Sequence, residues 1–186
     1  SLAYYFNWEK NKQNPHKLFI PQQTLLVYAT RTPQAEFTKM ATNPMCKMLN
    51  NNTLLTPITK LYTLLNRWDT PTHYLQQTWQ ETPLYIALTP TATTLEYSYY
   101  FDLSQPTQEQ IITQYLNQIA NNPNCTTQQE KYKNITLITI QDQSTQQQLS
   151  YCLYKHFLIV TNWHTHLRLI IDISSPSSVY FFPVSK

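Results

Sequence analysis

The chain contains no glycine, where a chain of 186 residues would ordinarily carry roughly a dozen. Glycine is the residue that enters positive-φ backbone without a steric penalty. Every tight turn here that needs such geometry must therefore use asparagine, aspartate or a larger side chain, at a cost. Several kinds of functional site are excluded with it. Glycine-rich phosphate loops, dinucleotide-binding fingerprints and glycine-flanked nucleophile elbows cannot be built. The scarcity is wider than glycine. Alanine (7), valine (4), aspartate (4) and glutamate (6) together fill only 21 positions. A reason rooted in the fold would not thin out valine and alanine as well. These are the residues whose codons begin with guanine, so the expected cause is a guanine-poor coding strand, as in a skewed organelle or endosymbiont genome. Ordinary guanine content at silent positions of the gene would contradict it.

Threonine, glutamine and asparagine take up the polar surface, because only 12% of residues are charged, about half the usual share. The net charge of +3 is spread out, with no run of Lys or Arg dense enough to track a phosphate backbone. Nucleic-acid binding is disfavoured as the main function unless the chain is ribosomal. Apolar residues at 41% and aromatics at 13% suffice for one core without disulfides. Three cysteines, Cys46, Cys125 and Cys152, cannot all pair within the chain, and no CxxC or Cys/His zinc spacing exists. No stretch of 18 apolar residues marks a transmembrane helix. The opening "SLAYYFNWEKNKQNPHK" is aromatic and then basic. That order suits a segment just outside a membrane anchor lying before Ser1, and it equally suits an arm packed on the domain.

Three parts are expected: an N-terminal arm over 1–17, a single domain over 18–173, and a linker with an apolar tail over 174–186. Within the domain, "TLLVYAT" reads as a strand after Pro21, and Pro33 opens a helix carrying Phe37, Met40 and Ala41 on one face. Leu54, Ile58, Leu61, Leu65 and Trp68 recur at helical spacing, and Leu75 and Trp79 mark a further short helix. "PLYIALTP" and "TLEYSYYFDL" are strands, the second with Tyr97, Tyr99 and Phe101 on one side and Ser98 and Tyr100 on the other. A helix follows, with start signals at Ser104 before Pro106 and in the box Thr107-x-x-Gln110, and a stripe of Ile112, Tyr115, Leu116 and Ile119. "NNPNCTTQQEKYK" reads as a loop. "NITLITIQDQ", "QQQLSYCLYK" and "FLIVTN" read as three antiparallel strands. From Trp163 to Ile173 both periods fit: Trp163, Leu167, Ile170 and Ile171 suit a helix, Leu167, Leu169, Ile171 and Ile173 a strand. Runs of strands and runs of helices give an α+β class, a mostly antiparallel sheet with helices packed on one face.

This order and four stretches carry a resemblance: "IPQQTLLVYAT", "LLTPITKLYTLLNRWDT", "PLYIALTPTATTLEYSYYFDL" and "LSYCLYKHFLIVTN". The pattern resembles a domain-of-unknown-function family of Bacteroidetes membrane-anchored envelope proteins, over roughly residues 18–173. The resemblance implies an extracytoplasmic α+β domain behind a membrane anchor. It carries no catalytic residues over. The missing glycines depart from it.

Candidate chemistry concentrates between Leu149 and Ser174, which hold Cys152, His156, His164 and His166. A zinc site needs four ligands converging from short spacings, and this segment offers no second short pair and no carboxylate motif. Cys152 lies between Tyr151 and Leu153 in an apolar strand, which points to a buried, inert thiol rather than a nucleophile. Asp69, Glu81, Glu96, Asp102 and Glu109 are scattered, so no carboxylate pair is set for acid–base work. No catalytic residue, no metal and no cofactor is therefore expected. The aromatic residues are the better candidates for contact with other proteins, as Tyr and Trp are enriched at interfaces. Tyr4, Tyr5, Phe6 and Trp8 in the arm, Tyr100 on the open side of its strand, and Tyr180, Phe181 and Phe182 in the tail are the candidate partner-binding residues.

The expected role is a non-enzymatic, extracytoplasmic domain of the cell envelope. It would act as a structural or protein-binding part of a larger membrane-associated assembly, with other proteins of that assembly as partners. The alternative is an organelle-encoded, mitochondrial subunit of a large complex such as a ribosome or respiratory assembly. An enzyme using Cys152 and a neighbouring histidine is the third reading.

Overall fold

A computed structural model describes residues 20–42 and 82–174, apart from Gln22 and Thr93. The elements run β1 (Leu26–Thr30), α1 (Pro33–Thr42), β2 (Leu84–Pro90), β3 (Leu95–Asp102), α2 (Pro106–Ala120), β4 (Cys125–Tyr132), β5 (Ile135–Asp142), β6 (Gln148–Tyr154), β7 (Phe157–Thr161) and α3 (His164–Ser174). The helices expected around Leu54–Trp68 and Leu75–Trp79 lie outside the described residues, as do the arm over 1–17 and the tail from 175 onward.

All seven strands join one sheet in the order β1-β2-β3-β7-β6-β5-β4, and every neighbouring pair is antiparallel. The α+β class with an antiparallel sheet is thus as expected. The helices, however, divide between the two faces. Tyr97, Tyr99 and Phe101 of β3, Leu158 and Val160 of β7 and Ile140 of β5 turn one way and meet Ile112, Tyr115, Leu116 and Ile119 of α2. Tyr100, Phe157, Ile159, Cys152 and Leu137 turn the other way and meet Leu167, Ile170 and Ile171 of α3. The central strands show why a single helical layer would not do. All five residues of "FLIVT" are buried, and a strand apolar at successive positions needs cover on both sides.

The ambiguous stretch from Trp163 to Ile173 folds as α3. Leu169 decides it: a strand would bury Leu169 beside Leu167 and Ile171, yet it is 37% exposed while the out-of-phase Ile170 is fully buried. The segment read as a loop contains β4. Its residues "CTTQQEKY" are mostly exposed because β4 is the last strand of the sheet, so no strong apolar alternation marks it.

The ends of these elements show how the chain turns without glycine. Positive φ falls on Lys133 (47°), Asn134 (65°), Gln146 (57°) and Lys155 (56°). Lys133 and Asn134 together close the two-residue β4–β5 hairpin with positive φ at both positions, which is the geometry a type I′ turn requires. Between β2 and β3 the turn is held by threonines: the Thr91 amide donates to the Thr94 carbonyl (2.8 Å), and the Thr94 amide donates to Thr91 Oγ1 (3.0 Å). Helix α2 begins at Pro106 with Gln105 as its extended cap residue and no side-chain cap bond, so the Thr107-x-x-Gln110 box is not used. It ends without a left-handed residue. The Asn121 amide donates to the Asn117 carbonyl (3.1 Å), as does Asn121 Nδ2 (2.8 Å).

Candidate functional site

The four Cys and His residues between Leu149 and Ser174 do not converge. His156 sits in the two-residue turn that enters β7, whereas His164 and His166 follow the strand's far end. Successive helical residues are about 100° apart, so His164 and His166 point roughly 200° away from each other. His164 is half-buried and His166 is only 6% exposed. His156 Nε2 instead lies 3.8 Å from Asp102 Oδ1. Cys152 is buried under α3, where loss of solvent pushes its thiol pKa up to about 12. A thiol held protonated at neutral pH is a poor nucleophile and a poor metal ligand. Cys125 and Cys152 are both free thiols. Among the described residues no three His, Cys, Asp or Glu side chains are grouped to hold a metal.

Of the candidate partner-binding residues, only Tyr100 falls within the described part, and there the expectation is corrected. Tyr100 is 1% exposed because α3 covers the side of β3 that was expected to be open. Tyr4, Tyr5, Phe6, Trp8, Tyr180, Phe181 and Phe182 lie outside the described residues. Surface aromatics do occur elsewhere: Trp163, just before α3, is 56% exposed.

Two groupings were not legible beforehand. The first is a transverse row of small polar side chains beneath α3. Ser98 stands opposite Thr161, Thr161 opposite Ser150, and Ser150 opposite Thr139 across four strands. Ser98, Thr161 and Ser150 are fully buried. Thr139 Oγ1 and Ser150 Oγ are 2.9 Å apart, and Thr161 Oγ1 donates to the Trp163 carbonyl (2.8 Å). The same sheet face holds buried Glu96, whose Oε1 accepts from Thr94 Oγ1 (3.0 Å) while Oε2 has no hydrogen-bond partner among the described residues. Burial raises the Glu96 pKa; it lowers that of His166, whose Nε2 likewise has no partner among the described residues. Register was the missing signal, since which residues stand opposite one another appears only once the strands are paired.

The second grouping straps α3 to the β4–β5 hairpin. Tyr132 donates its hydroxyl to both Asp172 oxygens (2.8 and 3.0 Å), Lys133 Nζ lies 2.6 Å from Asp172 Oδ1, and Arg168 pairs with Glu130. The Arg168 guanidinium also lies 5.4 Å from the Tyr132 ring centre. Lys133 holds the Asp172 carboxyl below its ordinary range, and hydrogen bonding to that carboxylate raises the Tyr132 hydroxyl. These charges answer one another within the chain.

Among the described residues, backbone is also open to a partner. The sheet ends at β1 on one side and β4 on the other, and an edge strand presents amide and carbonyl groups able to pair with another chain. Among the described residues no helix is long and apolar enough to cross a membrane. Comparison with protein-family models, with curated proteins and with solved structures finds no match to this chain.

Proposed function

We propose that the chain is a non-enzymatic, structural or protein-binding part of a larger membrane-associated assembly, on the extracytoplasmic side. The observation that carries this reading is a sheet covered on both faces that ends in backbone edges. Among the described residues several side chains suited to chemistry are used internally: Cys152 is buried and protonated, His166 is buried, and Asp172 and Glu130 are paired. Aromatic residues of the arm (Tyr4, Tyr5, Phe6, Trp8) and of the tail (Tyr180, Phe181, Phe182) add partner contacts in this reading. The test uses the full chain, tagged in its native cell, gently solubilised and separated under native conditions. It should migrate in discrete species well above its own mass and be cleaved by protease added outside intact cells. A free monomer on the cytoplasmic side overturns the proposal.

One observation favours a second reading, an organelle-encoded subunit of a large complex. Positive-φ positions are filled by Lys133, Gln146 and Lys155, where glycine would relieve strain, as a guanine-poor gene would dictate. Loss of the protein when organelle translation is blocked supports this alternative, and a chromosomal gene removes it.

A further inference from the structure

The two edges of the sheet are not alike. β1 has five residues and lies between Pro21 and Pro33, whose rings remove backbone donors on either side. β4 has eight residues and no proline. It is held from both faces: Cys125 packs against the cluster that includes α2, and Glu130 and Tyr132 are tied to Arg168 and Asp172 of α3. Natural edge strands are commonly blunted by charge, proline or bulges. The only charges on β4 are Glu130 and Lys131 near its end, leaving Cys125–Gln129 uncharged. Among the described residues nothing pairs with its outer side.

We propose that the outer edge of β4 pairs antiparallel with β4 of a second copy of this chain, joining two seven-stranded sheets into one. This rests on reading the chain as an assembly component and names one of its contacts. Antiparallel pairing of identical strands needs a two-fold axis normal to the sheet, which keeps each face on its own side. Opposed residues then share a face, so their numbers sum to an even value. Centring the axis on Glu130 or Lys131 sets like charges opposite each other, which is destabilising. Centring it on Gln129 avoids this. Gln129 then faces its own copy, and an amide carrying both donor and acceptor is its own complement. Gln128 faces Glu130 and can donate to its carboxylate, while Thr127 faces Lys131. Glutamine amides bonding between neighbouring strands add to strand association in cross-β assemblies as well.

The experiment is sedimentation of the full chain over a concentration series. The unaltered chain should show a reversible monomer–dimer equilibrium. Gln129→Lys and Gln129→Glu, each alone, should weaken dimerisation at least tenfold, because a like charge then faces itself. Mixing the two variants should restore dimers, a result that a folding defect cannot give. A dimer indifferent to both variants overturns the proposal. So does a monomeric chain, whether its β4 amides exchange freely with solvent or are protected by another part of the same chain. A monomer that still enters a large native species with different proteins overturns the paired edge alone and leaves the assembly reading standing. A chain found free and monomeric in its native cell removes both.

Discussion

The two faces of the sheet are built on different principles. Under α2 the buried groups are Tyr97, Tyr99, Phe101, Tyr115, Tyr151 and aliphatic side chains, and the buried carboxylate on that side, Asp142 at the end of β5, accepts from the Ser144 amide and hydroxyl and the Thr145 amide. Under α3 an apolar patch of Phe157, Ile159, Leu167, Ile170 and Ile171 adjoins the row Ser98–Thr161–Ser150–Thr139, with Glu96 and His166 buried on the same side. Apolar burial is tolerant of detail, since shape and volume decide it. Buried polar groups depend on every bond being made, because an unpartnered one keeps its desolvation cost. The α2 face should therefore fail chiefly by loss of volume, and the α3 face also by loss of a partner or by titration of Glu96 and His166.

The largest expected effect tests the α2 face. Ile140 is 0% exposed within the apolar cluster under α2, and Ile140→Ala should cost about 2–5 kcal/mol in denaturant unfolding. The α3 face should respond to a smaller chemical change. Thr139→Val conserves shape but strands the buried Ser150 hydroxyl, at about 1–3 kcal/mol. Adding Ser150→Ala to Thr139→Val should recover most of that loss. If the double variant is as unstable as the sum of two single losses, the row is not a matched set and the contrast fails.

Titration sharpens the contrast further. The folded pKa of His166 lies below the ordinary value because burial disfavours its charged form. Above the ordinary histidine value of about 6.5 both folded and unfolded forms are neutral and the group contributes no pH dependence. As pH falls through that value the unfolded chain takes up a proton that the folded chain resists, so stability drops. His166→Gln should flatten this part of the profile of unfolding midpoint against pH. Glu96 slopes the opposite way. Its raised pKa means stability falls as pH rises through the ordinary carboxylate range, so Glu96→Gln should stabilise the protein at neutral pH. Amide exchange should show α3 loosening before α2 as the solution is acidified. Simultaneous loosening of the two helices would contradict the assignment.

The smallest effect concerns the turns, which belong to neither face. Lys155 has φ of 56°. Left-handed backbone costs an ordinary residue about 1–2 kcal/mol, partly offset in glycine by its greater freedom when unfolded. Lys155→Gly should thus gain up to about 1 kcal/mol and Lys155→Ala should gain nothing. A gain would mean that the fold has a use for glycine that its gene does not meet.

Much of this architecture could be read in advance, and the failures have physical causes. The strands β2, β3, β5, β6 and β7 announce themselves because aromatic and branched side chains cluster between turns, and the α2 stripe of Ile112, Tyr115, Leu116 and Ile119 is buried as its spacing requires. β4 was hidden because an edge strand solvated along most of its length has no apolar alternation to display. Tyr100 was misplaced for a related reason: the identity of Trp163–Ile173 as helix or strand was open, and that helix is what covers Tyr100. The strap of Tyr132, Asp172, Glu130 and Arg168 joins residues about forty positions apart, a distance at which local pattern carries no information.

The strand order has a consequence for how the chain acquires its shape. β4, β5, β6 and β7 follow one another in sequence and in space, each joined to the next by a short hairpin connection. Closing such loops costs little chain entropy, and topologies rich in local contacts form quickly. The ladder between β3 and β7, from Ser98–Thr161 to Asp102–Phe157, must instead bridge more than fifty residues, and among the described residues it is the one ladder that unites the two halves of the sheet. The later-synthesised half thus holds a template that can assemble on its own, while the earlier half waits for β7 before β3 has a neighbour on that side. By sequence separation the β3–β7 ladder is expected to close after the β4–β7 hairpins, and pulsed amide exchange during refolding should show β5 and β6 protected before β3.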